Sequence, residues 1–338
     1  MSQKTVAAVL SLAFVSLSHA QLVPDRTYYG INREIPMTVK VPDGKKGEVT
    51  IQLLEAGTAK QVASAAAAAG AVNLATLFPQ LWSDTNYRVL YAQLAVGEEK
   101  IGSAVVLQPM LVPPKASVVA GSSSIRWREV PPLCSGYRAY SDKHAVLETS
   151  LGKIEFAFRP EAAPNTVWNF RQLVEGGFYT GVIFHRIIPG FVVQGGDPTG
   201  AGNGGPGFHI DLERTTLPHD FGVLSMARSG EPDSAGSQFF ICLSRAQTAG
   251  LDRGYTAFAQ AVSGHDTIKS LASVKLQGER PIDPPVITNA KLIDAPPYGT
   301  GPKPIDADGN PIAPPASPSG TPATPASQPP AQPKTDSR

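Results

Sequence analysis

Cysteine is nearly absent from this chain: its 338 residues contain two, Cys134 and Cys242. Two cysteines make no disulfide framework, and neither a CxxC nor an HExxH pattern occurs, so no metal-binding motif is on offer. An excess of charge is missing as well. Lys and Arg number 29 against 28 Asp and Glu, for a net +1, which leaves no footprint for a nucleic acid or an acidic lipid surface. No apolar run reaches the ~20 residues that a membrane-spanning helix needs. One short apolar stretch, residues 6–17, follows Lys4 and precedes Ser18-His19-Ala20. A basic start, a brief apolar core and a small-residue cleavage site together read as an export signal. We therefore expect a signal peptide at 1–20, a mature protein that is periplasmic or extracellular, and no membrane insertion once the signal is removed.

Gly and Pro, by contrast, are plentiful at 32 each, and thirteen of the Pro follow Ala295. That composition cannot build a core, so residues 295–338 are expected to be a Pro-rich disordered tail. Residues 22–111 hold short β-prone runs at 35–41, 48–54, 87–96 and 102–107, separated by turn signals such as Pro42-Asp43-Gly44. The Ala-rich run 59–71 has the propensity of a helix, but its flanking Gly57 and Gly70 and its neighbours favour a small β-rich domain of the sandwich type. Trp82, Tyr87 and Tyr91 read as core there more readily than as a binding face. Pro113-Pro114, the Gly-Ser run 121–124 and Pro131-Pro132 mark 112–143 as a linker.

A second domain is expected over 144–294. Strands at 144–149 and 153–158 are joined by a tight turn. A helix follows that Asn165 or Thr166 can cap, with Val167, Phe170, Leu173 and Val174 at helical spacing and Gly176-Gly177 as its stop. Short strands at 183–188, 191–194, 222–226 and 238–241 come next, then a last helix at 266–272. The fold class is mainly β, and many short strands with two isolated helices predict a closed antiparallel barrel with helical caps. Cys242 lies in an apolar strand-like run, where a buried free thiol is the plain expectation.

Three segments of this domain stand together: FHRIIPGFVVQGGD (184–197), GVLSMARSGEPDSAGSQFFIC (222–242) and LDRGYTAF (251–258), preceded by APNTVWNFRQLVEGGFYTG (163–181). In order and spacing they closely resemble the cyclophilin family of peptidyl-prolyl cis/trans isomerases, over about 150 of the 338 residues. The resemblance implies a cyclophilin-like barrel, proline-containing polypeptides as substrates, and no cofactor. Rotating an X-Pro bond breaks no covalent bond; it asks for a held proline ring and a fixed cationic donor near the prolyl nitrogen. Carried onto this chain, the resemblance makes Arg186 the catalytic residue. Phe191 and Phe240 are the aromatics that hold the ring, and Gln194 orients Arg186. Val192, Met226, Ala227, Gln238, Leu251 and Tyr255 complete the substrate-binding lining.

The chain departs from the familiar pattern in several places. Val192 stands where Met is common, Gly250 where many eukaryotic members carry Trp, Tyr255 where a pocket His is common, and Arg228 where Asn is usual. The substitutions at Val192, Gly250 and Tyr255 leave a second reading open, a proline-peptide binding module without turnover. Other patterns carry less. Residues 200–205 satisfy GxGxxG, but Pro206 and a strand-like run follow instead of the helix a dinucleotide site requires. His185 beside Arg186 reads as structural, because neighbours on a strand face opposite ways. Residues 306–310 resemble the start of a calcium loop, but Pro311 stands where Gly is needed. Nothing demands more than a monomer.

Overall fold

The computed structural model describes residues 21–122 and 124–312. The expected signal peptide, 1–20, and residues 313–338 lie outside the described residues. Among those described, no helix is long and apolar enough to cross a membrane.

The N-terminal part is built from two antiparallel sheets that share a core, with a two-stranded hairpin, Lys115–Val118 and Ile125–Arg128, on the segment that the sequence marks as linker. One has six strands in the order Tyr28–Gly30, Cys134–Ser141, Glu99–Leu111, Leu90–Val96, Val49–Glu55 and Gln61–Ala66. The other has three, Gln21–Pro24, Pro36–Lys40 and Gly70–Asn73. Leu22, Met37 and Val39 from the small sheet pack with Ile51, Leu53, Leu94 and Leu107 from the large one in a single core. The Ala-rich run forms strands, Gln61–Ala66 and Gly70–Asn73, so tertiary pairing overrides the helix propensity of Ala. Tyr91 is buried, and Trp82 packs edge-on against Tyr137 at 5.2 Å, as core residues do.

The expected linker needs correction. Its last third, Cys134–Ser141, is an interior strand of the six-stranded sheet, paired on one side with Glu99–Leu111 and on the other with Tyr28–Gly30. Alternation along it buries Tyr137 and Ala139 in the core, a pattern that Pro131-Pro132 and Gly136 obscure in the sequence.

The second part is one eight-stranded antiparallel sheet. Its order is Arg186–Ile188, Val192–Gly195, Phe239–Cys242, Val223–Met226, Ala257–Ser263, Gly152–Phe158, Lys143–Thr149 and Ile287–Asp294. The expectation of a closed barrel is not met: the sheet curls, but its two outer strands do not pair. The chain just before the first strand reaches the last one through the isolated bridge Ile183 to Val286, with the Phe184 amide donating to the Pro285 carbonyl and the Ile287 amide to the Val182 carbonyl, both at 2.9 Å. The amide of Ile187, which would serve a closing strand, donates instead to the carbonyl of Glu279 in the hairpin formed by Leu276–Gln277 and Arg280–Pro281.

Two helices cover the curled sheet, as expected. Pro164–Glu175 buries Val167, Phe170 and Val174, and His265–Ala272 buries Ile268 and Leu271. Each such side chain taken from water contributes roughly 1.5–3 kcal/mol. Phe170 touches the rings of Phe158, Tyr179, Phe239 and Phe258. The cap of the first helix differs from expectation. Ala163 is the N-cap residue, with no side-chain bond of its own. The carboxylate of Glu213 supplies the missing acceptors, taking the N–H groups of Asn165 (3.0 Å) and Thr166 (2.7 Å) and the Thr166 hydroxyl. A distant anion thus does the work of a local cap.

The disordered-tail expectation also fails for residues 295–312. Tyr298 stacks on Tyr91 with ring centroids 3.6 Å apart. Its hydroxyl accepts from the Gly57 amide at 2.7 Å, and its own amide donates to Gln93 Oε1 at 2.8 Å. Ile305 then returns to the interior of the second part, 6% exposed, with its amide on the Ala261 carbonyl. A second seam runs along the first helix. Trp168 packs on Tyr140 at 5.1 Å, and the Arg138 guanidinium lies over the Trp168 ring at 4.7 Å. Both cysteines are free thiols, and burial pushes that of Cys242 up.

Candidate active site

The hairpin Arg186–Ile188 with Val192–Gly195 places the site. Its register sets Arg186 opposite Gln194, and Gln194 in turn opposite Phe240 on the next strand. Alternation sends Ile187, Val193 and Ile241 into the core and leaves Arg186, Gln194 and Phe240 on the other face. There they line a cleft of about 580 Å³.

Eight of the ten residues singled out in the sequence border that cleft: Arg186, Phe191, Val192, Gln194, Ala227, Phe240, Leu251 and Tyr255. The other two lie elsewhere. Gln238 borders the neighbouring depression formed with the glycine loop at 202–207. Met226 is 1% exposed and packs in the core. Its strand pairs Met226 with Phe239 and Ser225 with Phe240, so the two-residue period turns Met226 inward.

Arg186 is held at two edges. Its Nε donates to Glu279 Oε2 at 2.6 Å, and Nη1 donates to Gln194 Oε1 at 3.2 Å. The Gln194 amide donates to Gln238 Oε1 at 3.0 Å. Gln238 Nε2 donates to the carbonyls of Gly202 and Gly204 at 3.0 and 2.9 Å. That loop is gathered by Asp197, 1% exposed, which accepts from Thr199 N (2.7 Å), Thr199 Oγ1 (2.8 Å), Gly202 N and Gly204 N (3.1 Å). Burial acts to raise the Asp197 pKa, but these donors outweigh it and hold it at about 2. Gly204 suits this loop because a Cβ there would meet Asp197 Oδ1 at 2.1 Å.

The opposite wall is apolar and braced from behind. Phe240 meets Tyr255 edge-on at 5.8 Å and stacks on His219 at 6.1 Å. His219 Nδ1 bonds Asp252 Oδ1 and its Nε2 bonds Ser225 Oγ, both at 2.9 Å. This has the layout of a catalytic triad, but His219 and Ser225 are fully buried, so it is a support with no access for substrate. Burial tends to raise the Asp252 pKa, yet bonds from His219 and Arg245 drive it well below the carboxylate range. Arg228 clamps the loop that carries Tyr255. Its Nε and Nη2 donate to the Gly254 carbonyl at 3.0 and 2.9 Å, and the guanidinium lies over the Tyr255 ring at 4.6 Å. His185 is 5% exposed, and neither ring nitrogen has a hydrogen-bond partner among the described residues. Burial lowers its pKa and favours the neutral ring.

Sequence reasoning missed Glu279 and the bracing role of Arg228. Arg228 stood out as a departure from the family pattern. Glu279 carried no signal, since it lies 93 positions from its partner on a hairpin of two-residue strands. The arrangement as a whole offers a cation fixed at the rim of a cleft, facing a wall of aromatic and aliphatic side chains. It can grip a small apolar ring and stabilise charge developing beside it. Elsewhere, Asp306 accepts from its own loop's Asp308 and Asn310 amides. Among the described residues no group of three or more His, Cys, Asp or Glu could hold a metal ion.

Residues 144–292 match the family model described as cyclophilin type peptidyl-prolyl cis-trans isomerase/CLD. A peptidyl-prolyl cis-trans isomerase of Synechococcus elongatus is 44% identical over 146 residues, which cover 43% of this chain and 97% of that protein. Peptidyl-prolyl cis-trans isomerase B of Bacillus subtilis is 48% identical over 123 residues, 36% of this chain and 84% of that protein. Among solved structures, a cyclophilin type peptidyl-prolyl cis-trans isomerase of Cryptosporidium parvum, determined in the presence of the dipeptide Ala-Pro, has a TM-score of 0.42 and 34% identity. It covers 44% of this chain and 98% of that one.

Proposed function

Since the chain belongs to the cyclophilin-type peptidyl-prolyl cis-trans isomerase family and is an isomerase of that type, we propose that it accelerates X-Pro rotation in exported polypeptides, with Arg186 as its catalytic residue. The peptide bond resists rotation by ~18–20 kcal/mol because of amide resonance. At the top of that barrier the prolyl nitrogen has regained its lone pair and accepts a hydrogen bond that the planar amide cannot. A cation aimed at that nitrogen therefore binds the twisted state more strongly than the ground state, which is what lowers a barrier. Phe191, Val192, Phe240, Leu251 and Tyr255 hold the proline ring, while Gln194 keeps Arg186 on target.

The observation that carries this reading is the pairing of Arg186 with Gln194 at the rim of the cleft, opposite the apolar wall of Phe191, Val192, Phe240 and Leu251. Arg186→Ala should reduce kcat/KM for a proline peptide about 100-fold, the scale of losing one oriented electrostatic donor. The rate is read by a protease-coupled assay or by exchange between isomers in NMR. A wild-type rate in this variant refutes the assignment. Export rests on residues 1–20, and the clients would then be secreted or envelope proteins. Fractionation of cells that express the full chain and a variant lacking 1–20 tests that part.

A further inference from the structure

The polar contacts around Arg186 close into a circuit, and its last link is the hairpin at 276–281. Starting from Arg186, the path runs through Gln194 and Gln238 to the Gly202 and Gly204 carbonyls. The same glycine loop offers the Gly200 carbonyl, which Arg280 Nη1 takes at 2.8 Å. Arg280 adjoins Glu279, and Glu279 returns to Arg186 Nε at 2.6 Å. The hairpin's own place is set by its backbone, since the Glu279 carbonyl accepts from the Ile187 amide at 2.7 Å. Ile187 is the residue after Arg186, so one hairpin residue grips both the strand and the side chain of its neighbour. Gly278, at φ 63°, makes the tight turn that presents Glu279.

A guanidinium is a planar fork whose donors keep fixed relative directions. Gln194 fixes one arm, but one hydrogen bond leaves the plane free to swing about it. A second anchor on Nε removes that freedom and leaves Nη2 without a hydrogen bond among the described residues. We propose that Glu279 is a positioning residue for the isomerase reaction, locking the plane of Arg186 so that Nη2 and the remaining Nη1 hydrogen face the substrate amide. This rests on the assignment of Arg186 as the catalytic residue. Its physical basis is that a fixed donor costs no reorganisation at the moment of reaction, whereas a swinging one does.

The test compares wild type, Arg186→Ala, Glu279→Ala and Glu279→Gln in the full mature chain. Isomerisation of a proline tetrapeptide gives kcat and KM, and ¹⁵N NMR of the arginine side chains gives the Arg186 Nε–H resonance, assigned by its loss in Arg186→Lys. Glu279→Ala should lower kcat about tenfold, with KM within about twofold of wild type, and should move the Arg186 Nε–H resonance to the position of a solvated guanidinium. Glu279→Gln, which keeps an oxygen acceptor, should restore most of kcat; if the Ala variant fails to fold, Glu279→Leu, which keeps the bulk without an acceptor, takes its place with the same expected loss. The proposal is overturned by a wild-type kcat in the variant that lacks the acceptor, by a change confined to KM, or by an unmoved Arg186 resonance in that variant. If Arg186→Ala is at background while Glu279→Ala is fully active, the positioning role fails and the catalytic assignment stands. If Arg186→Ala is fully active, the catalytic assignment itself fails.

Discussion

Asp142 is the residue between the last strand of the N-terminal sheet and the first strand of the isomerase sheet, and replacing it with Asn should stabilise the protein. Its side chain is buried, 9% exposed, at the seam between the two parts. Burial pushes its pKa from 3.8 up to about 6, even though His144, Arg171 and the Lys143 amide all favour the charged form. A carboxyl that holds its proton more tightly when folded gains stability as pH falls through 6 and carries a penalty above it. With an unfolded value of 3.8, the charged form costs about 3 kcal/mol at pH 7, roughly half that at pH 5 and well under 1 kcal/mol at pH 4. Asn has the shape of the protonated acid without the charge. Wild type and Asp142→Asn should therefore differ by that amount, the variant being more stable at pH 7 and the two converging near pH 4. Urea denaturation between pH 4 and 8 measures the difference. A variant less stable than wild type at pH 7, or a difference independent of pH, would refute the reasoning. Either result would mean that Arg171 and His144 outweigh desolvation.

Two further outcomes are expected. Asp197→Asn should lose roughly 2–3 kcal/mol at neutral pH, because a carboxyl held near 2 contributes stability that is present above about pH 4 and disappears as pH falls through 2. Acid titration of both proteins reads this, and the variant should also turn over more slowly, since the loop that holds Gln238 loosens. Tyr298→Ala removes the stacked contact with Tyr91 and the bond to Gly57, which should cost roughly 2–4 kcal/mol in chemical denaturation. Its isomerase rate at 25 °C should stay within about twofold of wild type, because Tyr298 does not line the cleft.

Much of the site was legible because it is local. FHRIIPGFVVQ is a hairpin, and alternation along a hairpin fixes which side chains share a face, so Arg186, Gln194 and Phe240 fall together once the strands pair. The same rule explains the Met226 error: membership of a motif does not say which face a residue takes, and register does. Partners supplied by distant, weakly patterned chain were not legible. Glu279 and Glu213 each satisfy donors far away in sequence, and a lone surface-type acid gives no sign of that. The tail was misread for a related reason. Composition measures what a segment can bury by itself, and residues 295–312 bury their few apolar groups in cores built by other parts of the chain. Closure failed as an inference because strand count alone does not decide it; the Ile187 amide was already committed to the hairpin.

That returning tail sets the order in which the chain can become complete. Ile305 belongs to the isomerase interior, while Tyr298, seven residues earlier, belongs to the N-terminal sheet. A chain emerging from a ribosome thus cannot finish either core until residues near 305 are free. The two parts mature together, released by the same late segment, and an isomerase fragment ending near 294 carries an open socket where Ile305 should sit.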